Sequence, residues 1–125
     1  MTKSLSRSAL DAVDSLLNPK SIAVVGSLRE ARFGGYVPVS NLLRFGYRGR
    51  IYPVNPQYDT VLNLKVHSSV RDIPEPVDLV VTMAGAPAVP RIIADSVHNG
   101  AKVAIIISDG FGERNEEGSK LQQEV

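Results

Sequence analysis

The stretch "SIAVVGSLREARFGGYVPVSNLL", residues 21–43, decides the fold. Ile22, Ala23, Val24 and Val25 form a continuous apolar run with no polar alternation, the mark of a strand covered on both faces. The run ends at Gly26, a polar loop bearing Arg29 and Arg32 follows, and Gly34-Gly35 opens an amphipathic segment. In that segment Val39, Leu42 and Leu43 fall on one helical face. Pro38 sits in its first turn, where a missing N–H costs little, and Gly46 supplies a C-terminal stop. Strand, glycine loop and helix in this order build a cradle for phosphate. Gly26 lets the backbone turn, Gly34 and Gly35 allow close approach, and the helix N-terminus presents amides and its positive dipole end. Arg29 and Arg32 would add charge-assisted contacts to a phosphate. The plainer reading is a tight turn with two solvated arginines.

Outward from this unit, strand-like and helix-like segments alternate. Upstream, Leu10, Val13, Leu16 and Leu17 have helical spacing and "NPK" (18–20) stops them, so residues 1–20 read as a docking helix and linker. The Ser-rich, basic start would suit a transit peptide, but Asp11 and Asp14 interrupt that pattern. Downstream, Ile51 to Val54 is a second strand ended by Asn55-Pro56, and a weaker third is expected near Leu64 to Val66. Leu79 to Val81 forms a fourth and "KVAIIIS" (102–108) a fifth. Between these two, "APAVPRIIADSVHNG" (86–100) reads as a helix with Val89, Ile92, Ile93 and Val97 on one face, closed by Gly100. Apolar strands alternating with helices predict a parallel sheet covered on both sides, joined by right-handed crossovers. The fold class is therefore α/β, a Rossmann-like doubly wound parallel sheet in three α/β/α layers. A last helix begins after "GFGE" (110–113) with little apolar face. Because such a sheet expects a further strand, the 125 residues read as a single domain belonging to a longer chain.

Composition narrows the function. Fourteen Lys+Arg against thirteen Asp+Glu give a net charge of +1, no footprint for nucleic acid. The chain has no Cys, which excludes a thiolate nucleophile or a Cys-held metal and fits a reducing, cytoplasmic setting. No apolar run approaches the ~20 residues that span a bilayer, so no membrane partner is expected. His67 and His98 lack acidic or His partners at ligand spacing, so no metal site is expected. Ser108 has no adjacent base motif, Asp78 reads as a turn cap, and no catalytic residue is assigned.

Nicotinamide dinucleotides are the obvious guests of such a cradle, and two features oppose them. The loop runs G-S-L-R-E-A (26–31) rather than G-x-G-x-x-G, and the second strand ends Val54-Asn55-Pro56 with no acid for ribose hydroxyls. A P-loop is excluded because no G-K-S/T follows.

The succession "LLNPKSIAVVG" (16–26), "GGY" (34–36), "NLLRFGYRGRIYPVNP" (41–56), "VDLVVT" (77–82) and "GAKVAIIISDGFGE" (100–113) resembles the CoA-binding domain of NDP-forming acyl-CoA synthetases. That family includes ADP-forming acetate–CoA ligases and is similar to the succinyl-CoA synthetase α subunit; the likeness runs from Leu16 to Gly118. The resemblance implies coenzyme A as cofactor. It assigns Gly26, Ser27, Leu28, Gly34 and Gly35 to the pyrophosphate and pantetheine side, and Val54, Asn55 and Pro56 to the adenosine end. It puts Ala84, Gly85 and Ala86 along the pantetheine arm and Ser108, Asp109 and Gly110 near the thiol. Arg29 or Arg32 would then meet a 3′-phosphate, which a carboxylate at the strand end would repel. The chain departs from the family pattern in four places. Ser27 comes one place early, Gln57 replaces a common lysine, Ala84-Gly85-Ala86 replaces V-P-A, and Asp109 stands where Ala is common. The implied whole enzyme joins a carboxylic acid to CoA at the expense of ATP or GTP through a phosphohistidine in a later domain. Its partners would be CoA, CoA thioesters and further domains or subunits of the same ligase. Two alternatives stay open: a CoA- or acyl-CoA-sensing module, free-standing or regulating a protein acyltransferase, and an NAD(H)-binding redox sensor.

Overall fold

The computed structural model describes residues 6–30 and 34–107. Arg32, Ser108, Asp109, Gly110 and the expected last helix lie outside the described residues.

Helix α1 (Arg7–Leu17) starts at Ser6, whose hydroxyl accepts from the Ala9 amide at 3.1 Å. Strand β1 (Ser21–Val25) follows, buried at every position as its unbroken apolar run requires. Then come α2 (Tyr36–Arg44), β2 (Arg50–Val54), the two-residue strands β3 (Thr60–Val61) and β4 (Leu64–Lys65), and β5 (Leu79–Thr82). A 3-10 turn (Ala86–Ala88) leads into α3 (Val89–Asn99), and β6 (Val103–Ile106) completes the described elements.

Among the described residues the main sheet is parallel, in the order β2-β1-β5-β6. The chain moves from β1 to β2 on one side and returns past β1 to β5 on the other, so the direction of winding reverses beside β1. Each face has its own core. Ala23, Val25, Val54, Val70 and Val80 gather on the face that Ile92 of α3 joins, and Ile22, Val24, Val39 and Leu79 on the α2 face. The layered α/β architecture is the expected one.

Two sequence expectations are revised. The third strand does not enter the main sheet. Residues 60–65 form a small antiparallel hairpin, turned by Leu62 and Asn63 at positive φ, and His67 makes only a single parallel bridge to Val54. The return from β2 to β5 carries a 3-10 turn (Val70–Asp72) instead of an α-helix. The face of α3 also differs. Val97 is 74% exposed, whereas Asp95 and Ser96 are buried. Val89 and Ile92 pack this face into the core as expected, and Asn99 adds hydrogen bonds across to the segment before β5. Ser96 Oγ donates to the Ile92 carbonyl at 2.7 Å. Asn99 Oδ1 accepts from the Val77 amide at 3.0 Å, and Asn99 Nδ2 donates to the Glu75 carbonyl at 2.9 Å.

At the opposite end of the sheet Asp78 acts as a staple. Its Oδ2 accepts from the Lys20 amide at 2.8 Å, its Oδ1 lies 3.4 Å from Lys102 Nζ, and its own amide donates to Ser21 Oγ at 3.0 Å. The Lys20 amide bond, with Lys102 beside it, holds the Asp78 carboxyl below the usual aspartate range.

Candidate functional site: a crevice at the strand ends

Open α/β sheets bind ligands beyond the carboxyl ends of their strands, where the winding reverses. A cavity of about 910 Å³ lies there. Val25, Gly26 and Ser27 of the β1 end line it, with Val54, Asn55, Pro56 and Gln57 of the β2 end and Ala84 and Gly85 after β5. Its other wall is Ser68 to Asp72, together with Pro87, Ala88, Arg91, Ile92 and Asp95 at the start of α3.

Backbone and amide bonds tie these strand ends together. The Gly26 amide donates to the Val54 carbonyl at 3.4 Å, and the Met83 amide to the Val25 carbonyl at 2.8 Å. Asn55 is the central tie. Its Nδ2 donates to the Gly26 carbonyl at 2.9 Å while its Oδ1 accepts from the Gln57 amide at 2.8 Å. Both ends of this amide side chain are thus engaged within the protein, and they fix the two loops relative to each other. The Asn55 amide donates to the His67 carbonyl at 2.9 Å, which brings the Ser68–Val70 wall alongside.

The glycines act through close approach. At Gly34, where φ is +112°, a Cβ would lie 2.7 Å from the Ser27 carbonyl oxygen. A Cβ on Gly26 would come within 3.1 Å of the Gly35 nitrogen. The start of α2 is therefore packed directly on the β1 turn, and the Tyr36 amide donates to the Ser27 carbonyl at 3.2 Å.

Of the residues singled out from sequence, Gly26, Ser27, Val54, Asn55, Pro56, Ala84 and Gly85 meet at this cavity. Gly34 and Gly35 stand behind the turn. Leu28 is buried in the core, close to Gly35, and Ala86 is buried too. Arg29 is exposed and is not among the lining residues; its amide donates to Ser27 Oγ at 3.4 Å. Sequence reasoning passed over the "SSVRD" wall (68–72), Arg91 and Asp95. Their signal was positional: in a doubly wound sheet the first turns of the elements following β2 and β5 border the crevice.

The cavity suits a large ligand with an apolar ring and anionic groups. Val54 and Pro56 offer an apolar wall, and no carboxylate stands at the β2 end, since Asp59 is not part of the lining. Asp72 is held below the usual aspartate range by the Ser68 and Ser69 side chains, the Ser68 Oγ bond being 2.6 Å. Beside the site His67 packs edge-on against Tyr52, its Nδ1 buried without a hydrogen-bond partner among the described residues. Burial, then the neighbouring Lys65, pushes its pKa below the ordinary imidazole value.

The sequence profile of the family described as "CoA binding domain" matches residues 20–124. The chain belongs to this CoA-binding domain family. It is 41% identical over 110 residues to an ADP-forming acetate–CoA ligase II of Archaeoglobus fulgidus, covering 88% of this chain and 16% of that protein. It is 40% identical over 118 residues to the α subunit of an ADP-forming acetate–CoA ligase I of Pyrococcus furiosus, covering 91% and 26%. Among solved structures, the dinucleotide-forming acetyl-coenzyme A synthetase 1 of Ca. Korarchaeum cryptofilum, in complex with phosphate and ADP, superposes with a TM-score of 0.80 at 35% identity. That match covers 91% of this chain and 25% of the synthetase. The CoA-binding domain thus spans about a sixth to a quarter of the length of these relatives. Among the described residues, no helix is long and apolar enough to cross a membrane.

Proposed function

We propose that this domain is the CoA cradle of an NDP-forming acyl-CoA synthetase, an enzyme that makes an acyl-CoA thioester from a carboxylic acid, CoA and ATP or GTP. The observation that carries the reading is the crevice over β1, β2 and β5: it has room for CoA and no carboxylate at the β2 end, and it sits in a chain whose relatives are ADP-forming ligases. In this reading Gly26 and Ser27 meet the pyrophosphate. Val54 and Pro56 face the adenine, and Ala84 and Gly85 flank the pantetheine arm. Asn55 serves as a positioning residue, since its amide is spent on the two loops. The domain holds and orients the thiol, and the phosphoryl chemistry falls to further domains or subunits in the cytoplasm, where ATP and CoA are at hand.

Calorimetric titration with CoA, dephospho-CoA, NADH and NADPH tests the ligand. Saturable CoA binding without NADH binding is expected; NADH binding with indifference to CoA would make the domain a dinucleotide sensor. For the reaction, the full-length parent should release ADP or GDP when given a carboxylic acid, CoA and the nucleoside triphosphate. No such release with any short-chain acid, alongside tight CoA binding, would favour the acyl-CoA-sensing alternative.

A further inference from the structure

Four ionisable side chains line the crevice, Arg71, Asp72, Arg91 and Asp95, and their formal charges cancel. Their partners do not. Asp72 accepts from Ser68, and Arg71 Nε donates to Asp95 Oδ1 at 3.2 Å. Arg91 lies one helical turn before Asp95 on α3, at the spacing where the two would pair. Asp95, only 9% exposed, instead faces across to Arg71 on the neighbouring 3-10 turn. Arg91 is exposed and has no ion pair among the described residues. It stands in the first turn of an 11-residue helix, where the positive dipole end also favours an anion. The buried Asp95 thus pairs with Arg71 and leaves Arg91, which also lines the crevice, without an ion pair among the described residues.

We infer that Arg91, with Arg71 held in place by Asp95, receives a phosphate group of the bound ligand. The inference rests on the CoA reading and adds to it two arginines on the wall formed by the 3-10 turn (Val70–Asp72) and α3. A guanidinium fork matches phosphate in a bidentate way that a lysine does not. The site takes a phosphate of a nucleotide-type ligand, and CoA carries two kinds, the pyrophosphate and the 3′-phosphate. Asp95 serves here as a positioning residue through its bond to Arg71.

Titrations of the whole chain, its Arg91→Gln and Arg91→Lys variants and Asp95→Asn test this with CoA and dephospho-CoA. Arg91→Gln should weaken CoA about ten- to a hundredfold with an unchanged unfolding midpoint, and Arg91→Lys should recover part of the loss. Asp95→Asn should weaken CoA less than Arg91→Gln. If Arg91→Gln binds dephospho-CoA as the unaltered chain does, the phosphate is the 3′ one; if the loss persists, it is the pyrophosphate. Either result supports the inference. Tight CoA binding that Arg91→Gln leaves unchanged overturns the arginine assignment alone. No CoA binding by the unaltered chain overturns the CoA reading and this inference with it.

Discussion

At the scale of single residues, the crevice is governed by atoms that are missing and by atoms already engaged. Gly34 lacks a Cβ that would lie 2.7 Å from the Ser27 carbonyl oxygen, on a backbone of positive φ. Gly34→Ala should therefore cost about 1–3 kcal/mol of stability and weaken CoA; thermal unfolding and titration measure both. Asn55 is the converse case. Removing its amide releases the Gly26 carbonyl and the Gln57 amide, so Asn55→Ala should destabilise by about 1–2 kcal/mol and loosen the ligand through loop geometry. A variant that lost affinity with no change in stability or in the Gly26 and Gln57 amide resonances would mean that Asn55 touches the ligand directly. The sequence made the glycines legible, because a turn into a helix demands them. It did not show that Asn55 would spend its side chain inward, since an exposed-looking Asn before Pro56 reads equally well as a contact.

At the scale of elements, the strands and the Val39–Leu42 face of α2 were plain, and the face of α3 was only partly so. Ile22–Val25 and Leu79–Val81 are apolar without interruption, a pattern that suits strands covered on both faces. The strand expected near Leu64 to Val66 forms at Leu64–Lys65, but it pairs with Thr60–Val61 in a hairpin that Leu62 and Asn63 at positive φ turn. In α3 the apolar periodicity identified Val89 and Ile92 and failed at Val97; at that end the helix is seated by Asn99. The contrast is testable. Asn99→Ala leaves the Val77 amide and the Glu75 carbonyl without their partner and should cost about 1–3 kcal/mol. Val97→Glu, at a 74% exposed position, should change stability by less than about 0.5 kcal/mol. Chemical denaturation of both variants decides it; equal losses would mean that Val97 is covered in solution. The Arg71 and Arg91 wall escaped a reading of the sequence because the two residues, twenty positions apart, meet only once the 3-10 turn packs on α3.

At the scale of the whole molecule, His67, Asp78 and Asp72 tie stability to pH in the same direction. His67 has a folded pKa below the ordinary 6.5, set by burial and then by Lys65, with Asp72 opposing weakly. The unfolded chain binds this proton more readily, so the contribution is complete above about pH 6.5 and is lost as pH falls toward the folded value. Asp78 follows at lower pH, its contribution present above the ordinary aspartate range and lost as pH falls through its depressed folded pKa. Unfolding midpoints measured from pH 8 downward should therefore decline in two stages. His67→Gln should remove the first and Asp78→Asn reduce the second, which Asp72 shares, and a single stage unaffected by His67→Gln would refute the assignment. Ligand binding at the strand ends joins β1, β2, β5 and α3, so CoA should raise the unfolding midpoint of the whole domain in proportion to the logarithm of its concentration. The most direct measurement is a heteronuclear NMR titration of the domain with CoA. The account predicts saturable shifts at Gly26, Ser27, Asn55, Gly85 and Arg91, with the apolar groove formed by Pro38, Leu42 and Phe45 on the other face unchanged. Shifts confined to that groove, or none at millimolar CoA, would contradict it.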